Sequence, residues 1–363
     1  MRSLALALAF LAALPAADIC SSIRAAVQAE SRKQGIPAIS VAVIRATKVV
    51  CSVALGQADL EQQISNTARS RHRLASLSKP VNSVLTMQLV EEGKLALNDS
   101  VRKFIPTLPA AYDAVTIRRL LSRQSGIREY AGLEDVFSTT HYPSLLKAAI
   151  AIFLKSPLQF VPGARTGLTT DGYTLLGAAR EQATGQPFRQ LLESRMRHFL
   201  LDDSPALTPH RVRLYRKTTT GNWENAPPFD ASNKYPGGGM LATADGYADF
   251  LIQLNGGRFL QAKSIREMWT SQSLADGTLV PFATLGWATG TRGAHRFVTH
   301  GGLQPGTTTV MHWFPELSAG SVILCNAEGP DLDALQNRIL AILLGSIQRA
   351  QPRPLQFTQT DMS

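Results

Sequence analysis

Apolar residues recur along this 363-residue chain with two different spacings, and the shorter spacing predicts β-strands. Residues 38–46 and 49–55 are mostly apolar and flank a short polar turn, which predicts a β-hairpin. Toward the C-terminus, turn residues separate four more apolar runs. These runs predict strands over residues 285–290, 296–300, 307–314 and 320–326.

Longer segments carry apolar residues at helical spacing and predict α-helices. We expect a first helix to begin at a cap formed by Ser21-Ser22 and to be ended by Gly35 and Pro37. A second helix is expected to open at Ser76, with Pro80 in its first turn, and to end near Glu92. The same spacing predicts helices over residues 116–122, 143–155, 171–185, 188–200, 243–254, 265–269 and 332–347.

Strands at both ends of the chain and helices between them predict an α+β fold. The early hairpin, about 38–56, and the late strands, about 285–326, would join into one antiparallel sheet. Residues from about 80 to 255 would form a mostly helical lobe, and the terminal helices would cover the sheet. With 44% hydrophobic and 18% charged residues, a single domain over residues 18–350 has ample material for a core.

The two ends of the chain differ in composition from the predicted domain. Arg2 precedes an apolar run over residues 4–14, which predicts a signal peptide over residues 1–17 and a secreted or periplasmic protein. The run is shorter than the about 20 residues that span a bilayer, so an uncleaved membrane tether is the disfavoured alternative. The polar segment 351–363 is predicted to be a disordered tail.

Charge and cysteine content narrow the possible partners. The net charge is +10, with basic clusters at residues 69–73 and 210–217, but no nucleic-acid-binding motif accompanies them. We therefore expect a solvated basic surface, or a general attraction to an anionic envelope or to carboxylate-bearing substrates, and no nucleic-acid partner. The three cysteines lack metal-ligand spacing, so no metal site is predicted. Cys51 and Cys325 lie in apolar runs and are expected to be buried thiols, although one disulfide, of unspecified pairing, would be possible after export.

A serine three residues before a lysine can form a nucleophile with its base, because side chains at i and i+3 share a helix face. The chain holds three such pairs. Ser100 with Lys103 lies in a polar turn, and Ser144 is better explained as a helix cap. Ser76 with Lys79 opens a long apolar helix and is the candidate catalytic pair.

Four segments of the chain, the first of which contains this pair, resemble in their sequence and order the serine beta-lactamase and penicillin-binding-protein superfamily. The resemblance is strongest to its class C and esterase-like branch, and especially to the mitochondrial beta-lactamase-like serine protease. The segments are residues 73–79, 120–127, 238–243 and 300–302. The resemblance implies the beta-lactamase/transpeptidase-like fold, with an antiparallel sheet flanked by helices and an inserted helical lobe.

The resemblance also implies roles for the segment that begins at His300. It makes His300 a third catalytic residue, where beta-lactamases carry a lysine, and makes Gly301 and Gly302 substrate-binding residues. The backbone N–H groups of Ser76 and Leu303 would form the oxyanion hole. No cofactor is implied.

One position departs from the pattern of the family. Between Pro162-Gly163 and Gly172-Tyr173, the family places a tyrosine thought to move protons, and here that place is held by Leu168. Thr170 matches the polar position two residues later, and both are assigned to the substrate site. Tyr173 is expected to pack in the following helix.

Two functions fit these observations. The first is an exported serine hydrolase that acylates Ser76 with an amide or ester, such as a peptide. The second is a catalytically silent member of the family that binds a ligand or associates with itself. The loss of a tyrosine at Leu168 favours the second function, whereas the retention of Ser76, Lys79 and His300 together favours the first.

Overall fold

The computed structural model describes residues 16–130 and 132–350. Its helices are α1 to α11, with bounds Ala16–Gln34, Ser78–Glu91, Ile117–Leu121, Leu133–Val136, Leu145–Ile152, Asp171–Thr184, Phe188–Arg195, Tyr235–Gly238, Ala244–Asn255, Ala262–Trp269 and Asp333–Ala350. Its strands are β1 to β14, with bounds Ala38–Arg45, Lys48–Asp59, Ile64–Ser65, His72–Arg73, Leu200–Leu201, Tyr215–Lys217, Trp223–Asn225, Met240–Ala242, Gln272–Ser273, Leu279–Val280, Ala288–Arg292, His295–Gln304, Thr307–Phe314 and Ala319–Cys325.

The main sheet has seven strands in the order β11-β12-β13-β14-β1-β2-β3. Every pairing in it is antiparallel. The early hairpin therefore pairs with the late strands through β1 and β14, where Val41 lies opposite Ile323. The predicted α+β class is confirmed, and so is the prediction that the early hairpin and the late strands join into one antiparallel sheet.

Both faces of the interior strand β1 are buried, which explains why its sequence is an almost uninterrupted apolar run. Ala42 and Ile44 join the larger core, under the helical lobe and α9. Ile39, Val41 and Val43 point to the opposite face and pack in a second core with α1 and α11. The sheet is thus sandwiched between two helical layers.

Several predicted elements are confirmed. The predicted strand 307–314 matches β13 at both ends. Thr116, Ser144 and Thr243 cap α3, α5 and α9, because each side-chain oxygen accepts a backbone N–H of the following turn. Gly185 ends α6 in the left-handed region at φ 67°, where a residue without a Cβ atom is favoured.

Other predictions are wrong. α1 already includes Ala16, so Ser21 lies inside the helix and does not cap it. Cys51 is not a thiol, because it forms a disulfide with Cys20, whereas Cys325 is a buried thiol as predicted. The basic cluster 69–73 is not all solvated surface. Arg73 is buried, where it pairs with Asp202 in a charge-assisted contact.

Residues 1–15 of the predicted signal peptide 1–17 lie outside the described residues, as does the predicted tail 351–363, and both stay predictions. Within residues 16–130 and 132–350, no helix is both long enough and apolar enough to cross a membrane.

Candidate active site

Ser76 is presented by a 3₁₀ turn, Ala75–Leu77, that connects β4 to α2. The prediction that Ser76 opens the α-helix is therefore wrong by two residues, since α2 begins at Ser78. Ala75 has φ 48°, which is uncommon for a residue with a Cβ atom and costs conformational energy. The turn leaves Ser76 partly exposed while Ala75 and Leu77 stay buried.

Neighbouring contacts hold this turn in place. The strand before it pairs with β8, and the Leu74 N–H donates to the Met240 carbonyl over 2.9 Å. On the other side β12 packs directly against it at Gly302. A Cβ atom there would lie 2.7 Å from the Leu74 carbonyl oxygen and 3.0 Å from the Ser76 nitrogen. Only glycine therefore allows β12 to lie this close to Ser76.

Lys79 is the side chain nearest to the Ser76 hydroxyl. Its Nζ lies 2.8 Å from Ser76 Oγ, 2.9 Å from the Gly237 carbonyl oxygen and 3.4 Å from Thr170 Oγ1. The side chain is only 5% exposed. The three contacts fix Nζ in one position, from which it can donate to Ser76 Oγ when charged or accept its proton when neutral.

The surroundings of Lys79 favour its neutral form. Burial lowers the pKa of Lys79 to about 8, the Glu129 carboxylate opposes this by raising it, and the Arg123 guanidinium lowers it further. A lysine with a pKa near 8 is half neutral in mildly alkaline solution. It can then act as a general base, which an ordinary lysine cannot do at this pH.

The two rival pairs lack this geometry. Ser100 Oγ accepts the Arg102 N–H over 3.2 Å, and Lys103 pairs instead with Asp99. Ser144 Oγ accepts the Lys147 backbone N–H at the start of α5. Of the three serine–lysine pairs, all within the described residues, Ser76 and Lys79 alone have a contact between Nζ and Oγ.

Ser78 is excluded as an alternative nucleophile by its position. It is fully buried, and its Oγ accepts the Met240 N–H over 3.3 Å. The side chain therefore faces β8, on the side of the chain away from the cavity.

His300 lies on β12 beside Lys79 and lines the same cavity. Its Nδ1 is 2.6 Å from the Gly301 carbonyl oxygen, and because a carbonyl can only accept, Nδ1 carries the proton. Burial is the main cause that holds the pKa of His300 well below its ordinary value, and the charge of Lys79 adds to it. His300 is thus a neutral imidazole whose Nε2 can accept a hydrogen bond.

A cavity of about 270 Å³ contains these groups. It is lined by Ser76, Lys79, Arg123, Glu129, Tyr130, Leu168, Thr169, Thr170, His300, Gly301, Leu303 and Gln304. Every residue assigned to the site from the sequence lines this cavity except Gly302, which lies behind it against the Ser76 turn.

Leu168, which stands at the position of the family's tyrosine, and Tyr173, five residues later, differ in their access to the cavity. Leu168 lines the cavity and is 74% exposed, so its side chain offers only apolar surface to a bound molecule. Tyr173 is fully buried and its hydroxyl donates to the Leu121 carbonyl over 2.9 Å, as its predicted packing role requires. Tyr173 has no access to the cavity.

Five cavity residues were not identified from the sequence: Arg123, Glu129, Tyr130, Thr169 and Gln304. The first three follow α3 on one loop, and Arg123 lies within the segment 120–127 that resembles the family. Glu129 accepts the Thr170 backbone N–H, so its carboxylate is tied to the residue that contacts Lys79. The high density of polar residues on this loop was the one available signal.

Metal binding is not indicated at this site. In the part of the chain that the structure describes, no group of three or more His, Cys, Asp or Glu side chains is placed to hold a metal ion. What the cavity offers is a hydroxyl, an amine of lowered pKa and a close-packed glycine strand. This set of groups suits acyl transfer.

The fold agrees with the comparison to known families. The sequence profile described as Beta-lactamase matches residues 23–345, and the chain belongs to that family. Protein flp from Staphylococcus aureus strain MW2 is 23% identical over 322 residues, which cover 85% of this chain and 63% of that protein. The chain thus spans less than two thirds of this relative.

Other relatives are similarly distant in sequence. The human serine beta-lactamase-like protein LACTB, mitochondrial, is 24% identical, with 84% of this chain and 71% of that protein covered. The octameric penicillin-binding protein homologue from Pyrococcus abyssi superposes with a TM-score of 0.77 at 22% identity, covering 90% of this chain and 77% of that one. D-amino acid amidase from Ochrobactrum anthropi SV3, complexed with L-phenylalanine amide, gives 0.77 at 20% identity, covering 92% and 100%.

Proposed function

We propose that this protein is a serine hydrolase that forms an acyl-enzyme on Ser76 from an amide or ester substrate. The observation that carries the proposal is the 2.8 Å contact between Lys79 Nζ and Ser76 Oγ inside a cavity. Neutral Lys79 takes the hydroxyl proton while Oγ bonds to the substrate carbonyl carbon. The leaving group departs with a proton that the Lys79 ammonium replaces, so Lys79 becomes neutral again. Lys79 then takes a proton from the water that attacks the acyl carbonyl, and Ser76 Oγ recovers that proton as the acid is released.

The developing oxyanion is assigned to the backbone N–H groups of Ser76 and Leu303. The close packing of β12 on the Ser76 turn at Gly302 supports this assignment, because it brings the two backbone segments together. Donors fixed by a strand and a turn need no rearrangement when charge develops, and one such donor contributes about 10² to 10³ in rate.

Protonation of the leaving group needs a donor that Leu168 cannot supply. Tyr130 is the phenol that lines the cavity, on the loop after α3. Its hydroxyl is buried and makes no hydrogen bond of ordinary geometry, yet it is close enough to Thr170 for that hydroxyl to lower its pKa. Burial outweighs this and keeps the pKa of Tyr130 above its ordinary value, so the phenol retains its proton and can donate it.

The substrate class follows from the shape and charge of the cavity. Peptide-like amides and esters fit a cavity with one apolar wall and several polar groups. One protein of similar structure supports this substrate class, because it is a D-amino acid amidase complexed with L-phenylalanine amide. A beta-lactam substrate is disfavoured, because neutral His300 replaces the lysine that would pair with its carboxylate.

Export is part of the proposal. The signal-peptide pattern over residues 1–17 supports it, and the Cys20–Cys51 disulfide supports it independently, because disulfides persist in oxidising compartments.

The second candidate function is a silent protein that binds a ligand or assembles with itself. The exposed Leu168 at the place of the family tyrosine favours it. The penicillin-binding protein homologue from Pyrococcus abyssi is octameric, which makes self-association the property to test in a silent protein. Such a protein would show no Ser76-dependent turnover.

Pre-steady-state hydrolysis of p-nitrophenyl acetate tests the proposed function. We expect a burst of p-nitrophenol of about one equivalent if deacylation is the slower step, and no turnover by Ser76→Ala. Ser144→Ala is the matched control, because Ser144 also precedes a lysine by three residues but caps α5. Turnover that survives in Ser76→Ala, or is absent from the wild type, contradicts the proposal.

A further inference from the structure

Arg123 lines the cavity that contains Ser76, and its guanidinium has no bonding partner in the part of the chain that the structure describes. Among residues 16–130 and 132–350, no side chain or carbonyl forms an ion pair or hydrogen bond with its guanidinium. The other arginines near the site are occupied. Arg128, for example, contacts Asp135 and Asp171. A half-buried guanidinium without an acidic partner can bind an external anion by donating hydrogen bonds to it.

The backbone around Arg123 fixes where the side chain begins. Arg123 has φ 62°, in the left-handed region that residues with a Cβ atom rarely adopt. Its carbonyl accepts the Gly167 N–H over 2.8 Å, which ties the loop after α3 to the segment that carries Leu168. The Arg123 side chain therefore extends from a backbone that this hydrogen bond fixes next to the segment of Leu168.

The charge of Arg123 affects the pKa values of the candidate catalytic groups. It lowers the pKa of both Lys79 and His300, so the guanidinium lies within electrostatic range of each. Glu129 is the carboxylate that lines the same cavity, but it accepts the Thr170 N–H and forms no ion pair with Arg123. The cation is thus left open toward the space in which a substrate would lie.

Two exposed leucines complete the picture of what could bind. Leu168 is 74% exposed and Leu303 is 62% exposed, and both line the cavity. Exposed leucines beside a reactive group offer apolar contact to a hydrocarbon segment. A molecule with a short apolar chain and a terminal carboxylate would satisfy the leucines and Arg123 together.

We propose that Arg123 is a specificity residue that binds a carboxylate on the acyl portion of the substrate, so that the preferred substrates are acidic acyl amides or esters. This inference rests on the proposed function and adds the substrate class to it. An arginine can bind a carboxylate through two parallel N–H bonds. We therefore expect a preference of roughly 10- to 100-fold for the acidic substrate over a neutral one of the same shape.

A matched pair of esters tests the inference. Mono-p-nitrophenyl glutarate carries the carboxylate, and p-nitrophenyl 5-methylhexanoate replaces it with a branched group of the same shape. The measurement is the ratio of their kcat/KM values after subtraction of the uncatalysed rates. Effects on Lys79 that both substrates share cancel in this ratio. Arg123→Gln should bring the ratio close to one, and Arg123→Lys should retain an intermediate preference.

The control variant is Arg165→Gln. Arg165 is exposed, lies over the Phe160 ring outside the cavity and carries the same charge, so its removal should leave the ratio at the wild-type value. A wild-type ratio near one, or the same ratio in wild type and Arg123→Gln, overturns the inference if both esters are hydrolysed.

A binding measurement keeps the test independent of turnover. Glutaryl anilide and 5-methylhexanoyl anilide are titrated calorimetrically into Ser76→Ala, and into Ser76→Ala with Arg123→Gln, after thermal unfolding shows that both variants are folded. If glutaryl anilide binds more tightly than 5-methylhexanoyl anilide and Arg123→Gln abolishes the difference, the inference is supported. This holds even if neither ester is hydrolysed, because the lack of hydrolysis contradicts only the proposed function. Equal binding of both anilides by Ser76→Ala overturns the inference.

Discussion

At the scale of single residues, Lys79 is balanced between opposing influences. Burial is the main cause that brings its pKa to about 8, the Arg123 charge lowers it further, and Glu129 raises it. The neutral amine is the active form, so kcat/KM should rise with pH through about 8. Glu129→Gln removes the charge that stabilises the ammonium, and the midpoint of this rise should move to lower pH.

The measurement for this prediction is kcat/KM against pH with a neutral ester, which reports the free enzyme. Glu224→Gln is the control, because Glu224 pairs with Arg216 on an exposed hairpin away from the cavity. A midpoint that stays in place or rises in Glu129→Gln would show that Lys79 is not the titrating base.

Tyr130 is expected to matter through its hydroxyl alone. Tyr130→Phe keeps the ring, which lies 4.9 Å from Lys234 Nζ, but removes the proton donor. We expect kcat on an amide with a poor leaving group to fall by roughly 10² to 10⁴. An ester with a nitrophenolate leaving group needs no protonation and should be hydrolysed at nearly the wild-type rate. Equal losses on both substrates would assign Tyr130 a structural role.

Leu168→Tyr tests the same step from the opposite direction. Because Leu168 is largely exposed, a tyrosine ring can be accommodated without repacking the core. The restored phenol should raise hydrolysis of an amide with a poor leaving group, measured in steady state beside Leu168→Phe as the control for ring size. An unchanged rate in a folded Leu168→Tyr variant would mean that proton transfer does not limit turnover.

At the scale of elements, regular periodicity was predictable and the catalytic turn was not. β13 and the capped helices follow from apolar spacing and from Ser or Thr at helix starts. The 3₁₀ turn at Ala75 has no local signal, because its positive φ is disfavoured for alanine. It is imposed by the pairing of β4 with β8 and by the packing of β12 at Gly302, contacts between residues far apart in sequence.

The same distinction applies to the site. Ser76, Lys79 and His300 lie in segments whose order resembles a family, so they could be named from the sequence. Arg123 and Tyr130 enter the cavity through the irregular loop after α3. The direction of a side chain on such a loop depends on long-range contacts such as that between Arg123 and Gly167, which spacing along the chain does not reveal.

At the scale of the whole molecule, the Cys20–Cys51 disulfide fastens α1 to the sheet through β2. The cysteines are 31 residues apart, for which the loss of chain entropy in the unfolded state stabilises the fold by about 4 kcal/mol. We predict that Cys20→Ala with Cys51→Ala lowers the free energy of unfolding by roughly 2 to 4 kcal/mol in urea titrations.

A reducing agent provides the control for this prediction. It should destabilise the wild type by a similar amount and leave the double variant unchanged. Thiol titration of the denatured wild type should find one free thiol, from Cys325, before reduction and three after it. Three thiols without reduction would contradict the disulfide.

The central claim is that Ser76 is a nucleophile activated by Lys79, and covalent labelling tests it most directly. The protein is treated with a fluorophosphonate, and the modified residue is mapped by tandem mass spectrometry. We predict one adduct, on Ser76, that is absent from Ser76→Ala and strongly slowed in Lys79→Ala. An adduct on another serine, or no adduct on a folded wild-type protein, would contradict the account.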